Sequence, residues 1–129
     1  MANITKNFLG NELRMTGTPD GNAITNLYSL TTNSSGAVVD SNVATGIASG
    51  DVVRMGILPA GMRLDDAKTI VSTGMTATIT ASLGFAYVDG VDSTDVPQDN
   101  DYFGAGITVA TAGRYAASNT AVRPVTLPK

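Results

Sequence analysis

Carboxylates are the only side chains dense enough in this chain to suggest a chemical site. Several hard oxygens at flexible spacing are what Ca²⁺ prefers, and residues 89–104 form an acidic loop with that character. The loop departs from EF-hand spacing, and its competing interpretation is a solvated loop whose aspartates cap their own backbone. We therefore predict no metal and keep calcium as the alternative. The candidate ligands are Asp89, Asp92, Asp95, Asp99 and Asp101.

The chain contains few of the residue types that catalyse reactions. The chain contains no His and no Cys, and Glu12 is the single glutamate. A Ser-His-Asp triad, a cysteine nucleophile and the usual imidazole or thiolate metal sites are therefore excluded. A hydrolase using two loop aspartates is the enzyme alternative, but no neighbour would raise one pKa selectively. We predict that the protein is not an enzyme and uses no cofactor.

The charge pattern limits the partners. The net charge is −3 at pH 7, so no basic surface for nucleic acid is expected. No apolar run approaches the 18 residues of a membrane-spanning helix. We predict neither nucleic acid nor membrane as a partner. The acidic residues precede a basic end with Arg114, Arg123 and Lys129, and such charges can pair between subunits as easily as within one.

An adjacent aromatic pair follows the acidic loop. On a regular strand, Tyr102 and Phe103 would point to opposite faces, so at least one ring would leave the core of its own subunit. Exposed aromatic rings are typical anchors of protein interfaces. We predict a subunit interface at Tyr102, Phe103, Tyr115 and Arg114.

The beginning of the chain is irregular. Residues 1–24 are rich in Gly and Asn, and their apolar residues have roughly helical spacing. We predict an N-terminal arm over 1–24, followed by a single β-sandwich domain over 25–129. The arm would dock on a partner through Ile4, Phe8, Leu9 and Leu13.

The remainder of the chain favours strands. Residues 76–88 alternate apolar and polar side chains throughout, which is the period of a strand. A turn signal at 33–36 predicts a hairpin over 25–40. Other predicted strands cover 51–58, 62–73, 105–110 and 120–127. We predict an all-β fold, an antiparallel β-sandwich of jelly-roll type.

Three segments carry strand and turn motifs: GDVVRMGILPAGMRL at 50–64, SLGFAYVDG at 82–90 and DNDYFGAG at 99–106. Together they resemble the capsid decoration (cement, or head-stabilising) proteins of tailed bacteriophages. The string GDVVRMGILPAGMRL at 50–64 is similar to a strand, Leu-Pro-x-Gly turn and second strand of that family. SLGFAYVDG at 82–90 resembles its strand and acidic loop, and DNDYFGAG at 99–106 resembles the lead into its next strand. This chain departs from the pattern after AVRPVTLPK, where relatives continue into another pair of strands.

The resemblance implies a jelly-roll sandwich that assembles as a homotrimer on the outside of an icosahedral head. It also implies a partner, the major capsid protein, which a terminal arm would reach. The expected location is the virion surface, and the host cytoplasm during assembly. A receptor- or carbohydrate-binding module of a phage tail or fibre is the alternative, because fold does not decide function.

Overall fold

The computed structural model of this protein describes residues 1–7, 13–14, 25–76, 78–117 and 124–129. These residues contain strands and no helix, and four of their five strand pairings are antiparallel. The predicted all-β class is confirmed. The strands are β1 (Asn3–Thr5), β2 (Leu13–Arg14), β3 (Asn26–Leu27), β4 (Val52–Arg54), β5 (Arg63–Leu64), β6 (Lys68–Val71), β7 (Thr80–Phe85), β8 (Asp99–Thr108), β9 (Gly113–Ala116) and β10 (Val125–Thr126).

The chain divides into two compact units, Met1–Leu58 (unit 1) and Pro59–Lys129 (unit 2). Of the predicted arm over 1–24, the structure describes residues 1–7 and 13–14. The division into this arm and a domain over 25–129 stays a prediction.

In unit 1, β1 pairs in parallel with β4, with Ile4 opposite Val53. The Val52 N–H donates to the Ala2 carbonyl at 2.9 Å. On the other side, the Thr5 N–H donates to Oδ1 of Asn42 at 2.8 Å, and the Asn42 N–H returns a bond to the Thr5 carbonyl at 3.0 Å. The start of the chain is therefore held by hydrogen bonds to two other segments of unit 1.

Ile4 is the most deeply buried large side chain among the described residues, with 1% of its surface exposed. Lys6 is also buried, and its Nζ donates to the Ser29 carbonyl at 2.7 Å. A long cation with an apolar stem can be buried in this way when its ammonium group has acceptors. Ile4 is thus part of the core of unit 1, and its assignment to a docking arm stays a prediction.

The predicted hairpin turn is present. Oδ1 of Asn33 accepts hydrogen bonds from the Ser35 and Ala37 N–H groups, and Gly36 has a φ of 77°. A positive φ of this size favours glycine, because a Cβ would clash with the backbone. Bonds between 31–33 and 37–39 flank the turn, including the antiparallel bridge between Thr32 and Val38.

In unit 2, the predicted strand over 62–73 is two strands with different partners. β5 pairs with β10, and β6 pairs with β9, both antiparallel. The break falls at two aspartates that bind locally: Oδ1 of Asp65 accepts from Nε of Arg63 at 2.7 Å, and Oδ1 of Asp66 accepts from the Ala67 N–H at 2.8 Å. Short polar side chains of this kind compete with ladder hydrogen bonds.

The segment with the clearest alternation, 76–88, is a strand only over Thr80–Phe85. Thr78 has a φ of 70°, and register shifts interrupt the pairing with β8 on both sides of Leu83. Ile79 is consequently exposed, while Phe85 and Tyr87 are buried. Ala77 lies outside the described residues. The periodicity thus located the strand correctly, but it could not show the bulges that reorient its side chains.

The end of the chain pairs within unit 2. Leu127 is buried, its N–H donates to the Met62 carbonyl, and its carbonyl accepts from the Gly61 N–H, both at 2.9 Å. The segment after Pro124 therefore packs beside the turn that precedes β5. The predicted short strand over 105–110 is largely contained in the longer β8.

Candidate functional site

Four aromatic rings form the core of unit 2 beside the acidic loop. The Phe85 ring lies edge-on to Tyr87 at 5.9 Å and to Tyr102 at 5.4 Å between centroids. Tyr102 and Phe103 meet at 4.8 Å with an interplanar angle of 85°. Edge-to-face contacts of this kind are favourable beyond the area they bury.

Tyr102 and Phe103 do not split between two faces as expected. Both rings are buried, with 9% and 8% of their surfaces exposed. The cause is the register: Leu83 pairs with Gly104 and Phe85 with Asp99, so residues 100–103 of β8 lie opposite Gly84 alone. This irregularity lets consecutive rings enter the same core. The premise for placing these two rings at a subunit interface was therefore wrong.

The other two predicted interface residues lie on β9. Arg114 is exposed and pairs across the ladder with Ile70 of β6. Tyr115 is half-buried, and its hydroxyl donates to the Thr111 carbonyl at 2.7 Å. Arg114 thus remains available for an interface, whereas the Tyr115 hydroxyl already has a partner within unit 2.

Tyr87 and Lys129 hold the acidic loop near its beginning and near its end. The Tyr87 hydroxyl donates to the Val96 carbonyl at 2.6 Å, and the Tyr87 N–H donates to Oε1 of Gln98 at 3.3 Å. Nζ of Lys129 lies 2.7 Å from Oδ2 of Asp89 and 4.9 Å from the centre of the Tyr87 ring. The last residue therefore contacts the loop through an ion pair and a cation–π contact.

The loop aspartates mostly bind neighbouring backbone. Oδ1 of Asp89 accepts from the Val91 N–H at 2.9 Å, and Oδ1 of Asp92 accepts from the N–H groups of Ser93 and Gln98 at 2.8 and 2.7 Å. These are the self-capping contacts expected of a solvated loop. Asp99 and Asp101 belong to β8 instead, where Oδ1 of Asp99 accepts from the Asp101 N–H.

The calcium alternative needs several of these carboxylates at one point. Within the described ranges, no three acidic side chains come together in a group that could hold a metal ion. Asp99 and Asp101 are close, and the hydrogen bond and negative charge of Asp99 raise the pKa of the Asp101 carboxyl. The five candidate ligands are thus distributed over a loop and a strand.

Lys129 should control the titration of Asp89. The hydrogen bond from Lys129, followed by that from the Val91 N–H, lowers the pKa of Asp89 below its usual 3.8. A lowered folded-state pKa stabilises the fold above the unfolded pKa, and this stabilisation is lost as the pH falls through the folded value. We expect Lys129→Met to raise the pKa of Asp89 towards 3.8.

The Asp89 pKa is measured by NMR titration of its carboxyl carbon. Lys68→Met is the matched control, because Lys68 is an exposed lysine that has no ion pair with Asp89. An Asp89 pKa that is identical in the parent and in Lys129→Met would contradict the assigned contact.

Three exposed aliphatic side chains were missed by sequence reasoning. After Met1, the most exposed large hydrophobic residues described are Val88 at 79%, Val91 at 61% and Ile70 at 58%. All three lie in unit 2, next to charged residues. Ile70 was not singled out, although alternation along its strand places it on the opposite face from Thr69 and Val71, which are half-buried.

The predicted arm residues are placed only in part. Ile4 is buried in unit 1, and Leu13 lies in β2, where it pairs with Leu27 of β3. Phe8 and Leu9 lie outside the described residues. Among the residues that are described, no helix is long and apolar enough to cross a membrane.

Comparison with known proteins adds no relative. No protein-family model, curated protein or solved structure matches this chain.

Proposed function

We propose that this protein is a structural component of a phage virion that decorates the outer surface of the capsid. It binds major capsid subunits, stabilises the shell, and acts as a homotrimer. We further propose that its strands complete an antiparallel sandwich of jelly-roll type in that assembly. It is made in the host cytoplasm and joins the head there.

The observation that carries this proposal is the incomplete strand pairing. β8 spans Asp99–Thr108, yet its one strand partner among the described residues is the shorter β7. Two-stranded sheets are marginal by themselves, and an open edge is a template for pairing with another chain. A protein that works by assembly benefits from such edges, since each contact is repeated around a symmetric particle.

The burial of Ile4 bears on which arm residues we propose for capsid contact. Ile4 packs in the core, so its side chain is not offered to a capsid subunit. The proposal for capsid contact therefore falls on Phe8, Leu9 and Leu13, which follow β1 along the chain.

The proposal is tested with purified protein and heads assembled without it. Light scattering should give the mass of a trimer, and binding should saturate at a fixed number of sites per head. Decorated heads should withstand higher temperature than bare heads. A Phe8→Ser, Leu9→Ser variant, checked for folding by circular dichroism, should lose most binding, whereas Leu30→Ser, at an exposed position of unit 1, should bind as the parent does.

Failure to bind heads would contradict the proposal. Calcium-dependent binding to cells or glycans, combined with indifference to heads, would support the receptor- or carbohydrate-binding alternative. In that case substitution of Asp92 or Asp95 should abolish the binding.

A further inference from the structure

Unit 2 carries two surfaces on which exposed aliphatic residues lie beside charged residues. Ile70 lies among basic residues. Val88 and Val91 are flanked along the chain by Asp89, whose carboxylate is paired with Lys129, and by Asp92 and Asp95. An apolar centre with a charged rim is the usual anatomy of a protein interface. Scattered exposed aliphatics need no explanation, but here the three most exposed after Met1 in the described part of the chain coincide with the two charged surfaces.

The first surface is one side of the β6–β9 ladder. Lys68 pairs with Ala116 and Ile70 with Arg114, and because alternate residues of a strand share a face, these four side chains lie together. All four are exposed. Among the described residues, the recorded ion pairs join Arg63 to Asp65 and Lys129 to Asp89, so neither Lys68 nor Arg114 has a carboxylate partner. We call this surface the lysine–arginine face.

The second surface lies in the segment between β7 and β8, where Val88, Val91, Asp92 and Asp95 are all exposed within eight residues. We call it the valine–aspartate surface. Its backbone is held by the Asp92 bonds to Ser93 and Gln98 and by the Tyr87 bond to Val96. A surface that is ordered before binding loses less conformational entropy when a partner docks.

We propose that the lysine–arginine face of one copy docks on the valine–aspartate surface of a second copy. The surfaces have opposite charge, and each offers aliphatic area that the other would bury. Because they are different patches of one chain, the contact is head-to-tail, and it closes a ring or continues as a filament depending on the rotation between copies. The inference rests on the proposed function only for the number of copies, namely three.

A second copy fits better than other acidic partners. A nucleic acid would pair with the two cations but would leave Ile70 unburied, and the net charge of −3 opposes its approach. The valine–aspartate surface of the same protein satisfies both the cations and the isoleucine. Association should also weaken with salt, because exposed charges are screened over about 8 Å at physiological ionic strength.

The test reverses the charges on each surface separately and then together. Lys68→Glu with Arg114→Glu alters the face, and Asp92→Asn with Asp95→Lys alters the loop while keeping an oxygen acceptor at position 92. Each variant should associate at least about tenfold more weakly than the parent in analytical ultracentrifugation. Arg54→Glu, at an exposed arginine of unit 1, is the control and should associate as the parent does.

Combining the variants distinguishes this contact from a general charge effect. The chain carrying all four substitutions should recover self-association, because its face is acidic and its loop is basic. An equimolar mixture of the two variants should associate more strongly than either variant does alone. Circular dichroism and thermal melting confirm folding, which exposed substitutions should leave intact.

Self-association that is unchanged by either charge-reversed variant would overturn the inference, as would lost association that the combined chain fails to recover. These measurements use no capsid. Head-to-tail association without binding to capsid heads would therefore contradict the proposed function alone. A trimer that decorates heads, but whose association does not change in the charge-reversed variants, would contradict the inference alone. Binding of the parent to an unrelated DNA duplex, abolished in the Lys68 and Arg114 variant, would instead favour a nucleic-acid partner.

Discussion

Replacing Ile4 with alanine is expected to destabilise unit 1 by about 2–5 kcal/mol, the range for removing a buried aliphatic side chain. Ile4 is 1% exposed and lies in the strand that pairs with β4. The loss combines the transfer free energy of three carbons with a cavity that the flanking hydrogen bonds prevent from closing. A domain is stable by only about 5–15 kcal/mol, so this single change should unfold unit 1 in part of the population.

The measurement is hydrogen exchange at the Val52 and Arg54 amides of unit 1. The Val52 N–H donates to the Ala2 carbonyl beside β1, and Arg54, two residues further along the same ladder, directs its N–H to the same side. Their protection should fall strongly in Ile4→Ala. Val52→Ala is the control, because Val52 lies on the same ladder but is 40% exposed, and it should change protection little. Full protection in Ile4→Ala would show that the N-terminal strand is not part of the core.

The burial of Ile4 also affects how a deletion of the predicted arm should be interpreted. Removing residues 1–20 eliminates β1 together with its bonds to Asn42 and Val52. Loss of capsid binding in such a deletion would report unfolding of unit 1 as much as loss of a contact. Substitution of Phe8 and Leu9 is the cleaner test of the arm.

Replacing Gly84 with valine is expected to destabilise unit 2 by about 3 kcal/mol, the upper part of the usual range for overpacking. A Cβ on Gly84 would overlap the Asp99 carbonyl and the backbone of Asn100. Neither obstacle is a flexible side chain, and both belong to the irregular start of β8. The strand would have to separate from β7, and this would displace Tyr102 and Phe103.

Near-UV circular dichroism reports this change, because Tyr87 and Tyr102 lie in the aromatic cluster. The tyrosine signal and the melting temperature should both fall in Gly84→Val. Ser82→Ala is the matched control: Ser82 is exposed on the same strand, and its substitution should change stability by no more than about 0.5 kcal/mol. A Gly84→Val protein with the parent's melting curve would contradict the close backbone approach.

The Gly84→Val substitution should also affect the proposed association between copies. The aromatic cluster that it permits also anchors the acidic loop, through the Tyr87 hydroxyl and the Val96 carbonyl. A disturbed cluster should therefore move Val91 and Asp92 and weaken the proposed head-to-tail contact. We expect Gly84→Val to associate less than Ser82→Ala even at temperatures where both remain folded.

The sequence by itself determined the class of the fold and the positions of some of its turns and strands. The turn at 33–36 and the presence of a strand within 76–88 follow from short-range rules, since turn residues and period-two alternation act within a few positions. The absence of His and Cys likewise limits the chemistry before any fold is known. The self-capping bonds of Asp89 and Asp92 belong to the same local class, because their partners lie within six residues.

Only the tertiary structure decided which residues share a core. Ile4 is buried because residues 52–54 and 40–42 lie on either side of its strand, and neither segment is marked in the sequence as its partner. Tyr102 and Phe103 enter one core because the register with β7 shifts beside Gly84. Ile70 and Arg114 share a face because the pairing of β6 with β9 places them directly opposite each other. Register and partner choice depend on contacts between residues far apart in the chain, and local periodicity carries no information about them.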